Sequence, residues 1–377
     1  MNLLRRFSDY LERRWVAPAY IGWVLLGLAV FFFAAATNTL AGWLYVMSGV
    51  LLALLAIAAV LPPRNLGGLQ VERQPIRPVA AGEVLFVELT LKNLQRQPRG
   101  LFQAIDWVPE TLGTPQTIAL RTIPPGQSYL WSYQLPTQHR GHYHWPGGML
   151  RSAAPLGLFW SRRRFDAPAS VVVYPTTLPL KRCPIIDALG TQGGRQWQQS
   201  RAAEASTEGI TRSLRPYRWG DPTRLIHWRT SARYGELRVR ELEKTSSGQE
   251  VLVALDQHST WSTEGFEQAV ITAASLYTYA LKRGVTAKVW ARDWGVLHDY
   301  PRVMSALAAV QPIRTAESAQ EPPQLPLVWL TAGDNQQQLP PGSRRCCWSD
   351  SEARTPYPTL WVNSEQPLQP QLQKLPS

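Results

Sequence analysis

A chain of 377 residues, 45% of them hydrophobic, is too long for one small domain and too apolar to be disordered, and it leaves room for two or three domains. Its formal charge of +12, from 39 Lys and Arg against 27 Asp and Glu, excludes an acidic solvating chain and points to an anionic neighbour, either nucleic acid or a bilayer surface. Three cysteines exclude a disulfide framework: Cys183 stands alone, and the adjacent pair Cys346-Cys347 has neither CxxC spacing nor enough partners for zinc.

Residues 1–17 read as a cytoplasmic N-terminal segment, and residues 18–62 as a two-helix transmembrane hairpin. Between residues 15 and 63 there is no Asp, Glu, Lys or Arg. Two apolar runs, residues 20–36 and 40–61, are split by the polar knot Thr37-Asn38-Thr39, and each is near the length that crosses about 30 Å of hydrocarbon. Trp15, Tyr20, Trp43 and Tyr45 lie near the run ends, where interfacial aromatics belong. A signal peptide is the rival reading, but the second run follows at once with no small-residue cleavage pattern between. Arg5, Arg6, Arg13 and Arg14 precede the hairpin and Arg64 and Arg73 follow it, so both ends and the soluble domains are expected on the cytoplasmic side. The basic balance then favours proximity to anionic lipid over nucleic acid.

Residues 63–180 change to strand period. Leu85, Val87, Leu89 and Leu91 alternate with Val84, Phe86, Glu88 and Thr90, and Tyr129, Trp131, Tyr133 and Leu135 repeat the pattern. Pro124-Pro125-Gly126, Pro146-Gly147-Gly148 and Pro155-Leu156-Gly157 punctuate the stretch as turns, and residues 171–174 close it. These features predict an antiparallel β-sandwich. His142 and His144 share a strand face near His139, but without an acidic or thiol ligand nearby they read as a surface strand rather than a metal site. Residues 181–210, rich in Gly, Gln and Arg, read as a linker.

Residues 211–245 form an Arg- and Trp-rich segment. Between positions 212 and 240 there are eight arginines and no lysine, against only Asp221 and Glu236. A guanidinium fork pairs bidentately with carboxylate or phosphate and stacks on aromatic rings, so the cluster predicts an anion-recognising surface or a staple between domains. Asp221 is placed to cap a helix with Pro222 at its first position; Leu225, Trp228 and Ala232 share one face of that helix, Gly235 ends it, and Leu237, Val239 and Glu241 begin a strand. The residues assigned to partner binding or domain geometry are Arg218, Trp219, Asp221, Arg224, Trp228, Arg229 and Arg233. Asp221, His227 and Ser231 are also ingredients of a hydrolytic site, but no GxSxG elbow accompanies them. Arginines interleaved with Tyr217, Trp219, Trp228 and Tyr234 suit nucleic acid as well, although no recognisable nucleic-acid-binding motif is present.

Residues 246–365 alternate strand and helix: strands at 251–255, 287–291, 325–330 and 359–362, and helices with apolar spacing at 266–281 and 303–310. That order predicts a largely parallel sheet with helices on its faces. Residues 366–377 read as a frayed tail.

The stretch "LRPYRWGDPTRLIHWRTSARYGELRVRE" resembles the signature of the bacterial family called domain of unknown function fifty-eight, through Tyr217, Gly220, Asp221, Arg224, Ile226, Trp228, Ala232, Arg233, Gly235 and Leu237. "HRGHYHWPGGMLRSAAPLGLF" and "VVVYP" are similar to that family's β-domain strands. The resemblance implies a membrane-anchored protein of the bacterial inner membrane, a MoxR-type AAA+ ATPase as partner, and a C-terminal half similar to a von Willebrand factor A domain, here truncated and Rossmann-like. Such domains hold a metal on an Asp-x-Ser-x-Ser loop, which reads here Asp256-Gln257-His258-Ser259-Thr260, so Asp256 and Thr260 match and His258 replaces a serine. Loss of an oxygen ligand weakens a Mg²⁺ site, and the expectation is a degenerate site without a resident cofactor. The combined expectation is a non-enzymatic adaptor working with that ATPase in assembly or maturation of proteins at the membrane. The alternative is a membrane-tethered hydrolase or nucleic-acid-processing protein using the 215–240 motif.

Overall fold

The computed structural model describes residues 16–189, 211–218, 223, 226–242, 250–313, 322–323, 325–333, 338–349 and 356–376. The chain divides into two compact units between Tyr174 and Pro175.

The first unit opens with a short strand β1 (Ala17–Pro18), followed by helices α1 (Tyr20–Thr39) and α2 (Gly42–Leu66). Both helices are long and apolar enough to cross a membrane. The polar knot is not the connector that its composition suggests. Thr37 and Thr39 donate their hydroxyls to the carbonyls of Ala34 and Ala35, each at 2.7 Å, which lets them sit in the last turn of α1. The chain reverses instead at Leu40, with φ 53°, and Ala41. Small residues face the helix pair, with Ala29 and Ala36 buried and Ser48 Oγ donating to Ala29 O at 2.9 Å. Outward-facing Phe31, Phe33, Val46 and Val50 are exposed along both helices.

Eight strands follow: β2 (Leu69–Arg73), β3 (Val79–Ala80), β4 (Val84–Asn93), β5 (Arg99–Asp106), β6 (Gln116–Ile123), β7 (Ser128–Pro136), β8 (Gly141–Ser152) and β9 (Phe159–Tyr174). They form two sheets, β2-β4-β7 and β1-β9-β8-β5-β6, with β3 beside β9 in parallel. The alternation read in β4 is the pleat: Leu85, Val87, Leu89 and Leu91 are buried in one core with Phe102, Leu120, Trp131, Trp145 and Leu150. Pro146-Gly147-Gly148 is a bulge inside β8 rather than a turn, with a register shift against β9 between Trp145 and Gly147. Gly148 is required there because a Cβ would run into the carbonyl oxygen of Ile105.

One ion pair lies within this apolar interior. Arg73 reaches Asp106 through two parallel bonds, Nη1 to Oδ2 at 2.8 Å and Nη2 to Oδ1 at 2.9 Å, and its Nε donates to Ala167 O at 2.9 Å. The guanidinium also lies over Trp145, and Tyr133 donates its hydroxyl to Asp106 Oδ2 at 2.5 Å. The side chains of Arg73 and Asp106 are 4% and 0% exposed, so the pair depends on this full set of partners.

The second unit begins at Pro175, within the residues expected as sandwich, and the first residues expected as linker are structured. A helix α3 (Pro184–Ala188) buries Ile185 and Ile186 beside buried Cys183, while residues 190–210 lie outside the described residues. Then come β10 (Thr211–Pro216), α4 (Trp228–Tyr234), β11 (Arg238–Leu242), β12 (Glu250–Leu255), α5 (Thr263–Lys282), β13 (Thr286–Ala291), β14 (Gly295–Leu297), α6 (Tyr300–Ala309), β15 (Leu327–Ala332), β16 (Arg344–Trp348), β17 (Thr359–Val362) and α7 (Leu368–Leu372). Strands β12 to β17 form one sheet in the order β14-β13-β12-β15-β16-β17, parallel throughout except for the edge strand β14. β12 is buried on both faces, which is why its sequence is a continuous apolar run. α5 starts at Ser262, whose hydroxyl accepts from Gly265 N, and buries Phe266, Ala269, Val270, Ala273, Leu276 and Tyr277.

The tail is not frayed. Leu372 is buried, and the Gln371 side chain is held at both ends, donating to Asn363 O at 2.9 Å and accepting from Asn363 N at 2.8 Å. Gln369 Nε2 donates to Pro179 O at 2.8 Å, which ties the last helix to the first residues of this unit.

Candidate functional site

Two places in the second unit gather the residues singled out in the sequence. The first is the Arg/Trp segment. β10 and β11 pair antiparallel from Thr211↔Leu242 to Pro216↔Arg238. α4 crosses before β11 and is tied to it locally: His227 N donates to Arg238 O at 2.8 Å, and Ile226 bridges Val239, both of these side chains being buried. His227 caps α4, its Nδ1 lying 3.2 Å from Thr230 N and 2.7 Å from Thr230 Oγ1. Gly235 closes the helix at φ 69°, a conformation that favours glycine. Ser231 Oγ donates to His227 O at 3.1 Å and accepts from Arg238 N at 2.9 Å. His227 and Ser231 are therefore occupied with the backbone.

The helix face shared by Trp228 and Ala232 is turned outward. Trp228 is 65% exposed and Ala232 is exposed, because α4 packs through Ser231. Tyr234 is 58% exposed with Arg238 over its ring at 4.4 Å, and Arg218, Arg229 and Arg233 are exposed. Trp219, Asp221 and Arg224 lie outside the described residues, as does the expected cap at Asp221-Pro222. The capping role of His227 was not anticipated. Its signal is the hydroxyl three residues on, in His227-x-x-Thr230.

The second place is the turn after β12. Strands β13 and β15 flank β12 on either side, so the crossovers diverge at its carboxyl end, the switch point at which doubly wound sheets hold ligands. Asp256 begins this turn and is buried. Its Oδ1 accepts from His258 N at 3.0 Å, and its Oδ2 accepts from Ser259 Oγ at 2.6 Å and Thr331 Oγ1 at 3.1 Å. The two hydroxyls are themselves 2.7 Å apart. Trp261 Nε1 donates to Asp256 O at 2.6 Å, and its ring meets Phe266 and Trp348 with centroids 5.6 Å away in each case. Gln257, also buried, bonds Asp293 Oδ2 at 2.6 Å and Gln311 O at 3.2 Å.

Asp256 is thus at the switch point, whereas Thr260 is exposed; Ser259 and Thr331 are the hydroxyls that reach the carboxylate. Ser259 was passed over because the expected spacing counts in twos, and a turn that closes at i,i+3 brings it in instead. As a Mg²⁺ site the donor set is poor. Among the described residues it offers the Asp256 carboxylate, which already accepts three hydrogen bonds, where the ion prefers strong oxygen ligands in octahedral array. Among the described residues no group of three or more His, Cys, Asp or Glu is placed to hold a metal.

The thiols are buried. Burial pushes Cys183 up to about 12, and burial, with Cys183 nearby, pushes Cys346 well above the usual thiol range. Both are protonated at neutral pH and are poor nucleophiles.

Comparison with known proteins places this segment in context. The family described as "Protein of unknown function DUF58" matches residues 213–323. "Uncharacterized protein YeaD" of Bacillus subtilis (strain 168) is 26% identical over 299 residues, covering 74% of this chain and 70% of that one. Among solved structures, the CARDB domain of PF1109 from Pyrococcus furiosus is similar at 14% identity and a TM-score of 0.22, covering 29% of this chain and 94% of that one. The ASH / PapD-like domain of human CEP192 is similar at 11% identity and a TM-score of 0.19, covering 29% and 87%.

Proposed function

We propose that the chain is a membrane-anchored, non-enzymatic adaptor of the bacterial inner membrane, with both ends and its soluble domains cytoplasmic. Its partner is an AAA+ ATPase of the MoxR type, engaged in assembly or maturation of other proteins at the membrane. One observation carries the docking part of this reading: helix α4 presents Trp228, Arg229, Arg233 and Tyr234 to solvent. Tryptophan and arginine are the residue types that anchor interfaces, and guanidinium groups suit an acidic partner surface. The use of His227 and Ser231 in backbone bonds supports a role other than hydrolysis. The parallel sheet with its single antiparallel edge strand supports a von Willebrand A-like second unit. The hydrogen-bonded Asp256 turn supports a variant that works without Mg²⁺.

The test is recovery of the ATPase with the intact, membrane-solubilised protein and with a variant carrying Arg224→Ala, Arg229→Ala and Arg233→Ala. Co-purification with the parent and its loss in the variant are expected. Equal recovery from both moves the docking surface elsewhere, and no ATPase with either overturns the partnership.

A further inference from the structure

The turn between β8 and β9 is apolar, uncharged and set against the helical hairpin. Its direction follows from strand pairing. β1 runs antiparallel to β9, with Ala17 opposite Trp160 and Pro18 opposite Phe159. Walking back along β9 from Trp160 to Leu158 therefore leads the same way as walking from Ala17 into α1. Leu158 O accepts from Ala19 N at 2.8 Å, and Gly22 leaves the room for it, since a Cβ there would collide with that oxygen. The Leu158 side chain forms one cluster with Leu55 and Ala58 of α2 and with Leu25, Leu26 and Phe159. At 1.5 Å per residue, Leu25 and Leu26 lie about 8 Å beyond Tyr20, past the helix entrance.

The tip, Pro155-Leu156-Gly157, extends one step further and is exposed, Leu156 by 46%. Part of its backbone is satisfied within the turn, as a medium poor in water favours. Gly157 N donates to Ala153 O at 2.8 Å, Ala154 N donates to Ser152 Oγ at 3.1 Å, and Pro155 has no N–H to satisfy. The base of the turn is basic and aromatic. Arg151 stacks on Trp160 at 4.2 Å, Arg163 Nη1 donates to Leu66 O at 3.0 Å, Arg162 and Arg164 flank it, and Arg64 lies in the last turn of α2. Residues 141–165 contain no Asp or Glu.

We propose that residues 153–159 are a third membrane-contacting element, inserted into the cytosolic interfacial layer beside α1 and α2, with Arg64, Arg151, Arg162 and Arg163 binding anionic phospholipid headgroups. The proposal rests on the reading of α1 and α2 as membrane-spanning. An exposed leucine in a loop needs no explanation by itself. This one lies beyond a residue already packed among the spanning helices, above a belt of the two residue types that mark the headgroup level.

The experiment places a nitroxide at Leu156→Cys, Phe31→Cys or Gln138→Cys in the full chain, reconstituted in vesicles containing phosphatidylglycerol. The parent chain, whose three thiols are buried, is the labelling blank. Phe31 is exposed on α1. Gln138 follows β7, whose Pro136 pairs with Val84 at the end of β4 away from Asn93, the residue paired with Leu69 just after α2. The label at Leu156 is expected to be several-fold less accessible to a water-soluble relaxing agent than the label at Gln138, approaching that at Phe31. Accessibility at Leu156 equal to that at Gln138, with Phe31 protected, overturns the proposal and leaves the anchor standing. Accessibility at all three sites overturns the anchor itself. In purely zwitterionic vesicles Phe31 is expected to stay protected while Leu156 becomes more accessible; an unchanged Leu156 overturns the assignment to anionic headgroups.

Discussion

Arg73 and the pair Arg229 and Arg233 carry the same side chain in opposite circumstances. Arg73 is sealed in the sandwich and held by Asp106, Ala167 O and the face of Trp145. Arg229 and Arg233 stand in solvent on a helix that packs through a serine, with no ion pair to any described residue. In the first setting the charge holds two sheets in one arrangement; in the second it is available to something outside the chain. A count of arginines cannot separate the two, because only the partners supplied by the fold decide which one is fixed.

The largest expected effect breaks the closed arrangement. Asp106→Asn keeps the shape but leaves the Arg73 charge buried without a counter-charge, which costs about 3–5 kcal/mol. Denaturant unfolding of parent and variant, followed by tryptophan fluorescence, measures it as a difference in the midpoint of the first unit's transition. A loss below 1 kcal/mol, on the scale of an exposed pair, means that water reaches the pair.

The next effect depends on pH. Burial, and after it the Asp106 carboxylate, holds the Tyr133 hydroxyl protonated above the usual tyrosine range. The unfolded chain releases that proton near pH 10 while the folded chain keeps it. Its contribution is therefore complete below about pH 10 and declines above it, by up to about 1.4 kcal/mol per pH unit. Tyr133→Phe is expected to flatten that alkaline slope; an unchanged slope assigns it to other groups.

The smallest expected effect belongs to the open pair. Arg229→Ala with Arg233→Ala is expected to alter unfolding by no more than about 0.5 kcal/mol, as exposed substitutions do. A larger loss in the same denaturant experiment makes these arginines part of the internal architecture and removes the contrast with Arg73.

Much of the architecture was legible because it follows from period. The run of Leu85, Val87, Leu89 and Leu91 can face a core only as a strand, and the charge-free stretch of residues 15–63 yields two long helices. Other elements carried no period. Arg344-Arg345-Cys346-Cys347-Trp348 does not alternate, yet it forms β16 because β15 and β17 pair with its two edges and its side chains are buried on both faces. Gln371 looked like tail composition and is instead a buried polar side chain with its bonds made. At the candidate site, the exposure of Trp228 could not be read from its helical spacing with Ala232, since the amphipathic rule presumes an apolar contact and α4 makes a serine contact.

The bond from Gln369 to Pro179 bears on the order in which the chain acquires its structure during synthesis. Everything that the hairpin and the sandwich require has been made once residue 174 leaves the ribosome, so that unit is complete early. The second unit waits for residues 359–372, which supply β17 and α7. Domains formed from the N-terminus forward give such a chain a fixed sequence of events, with the sandwich unit first and the unit that carries Trp228 after it.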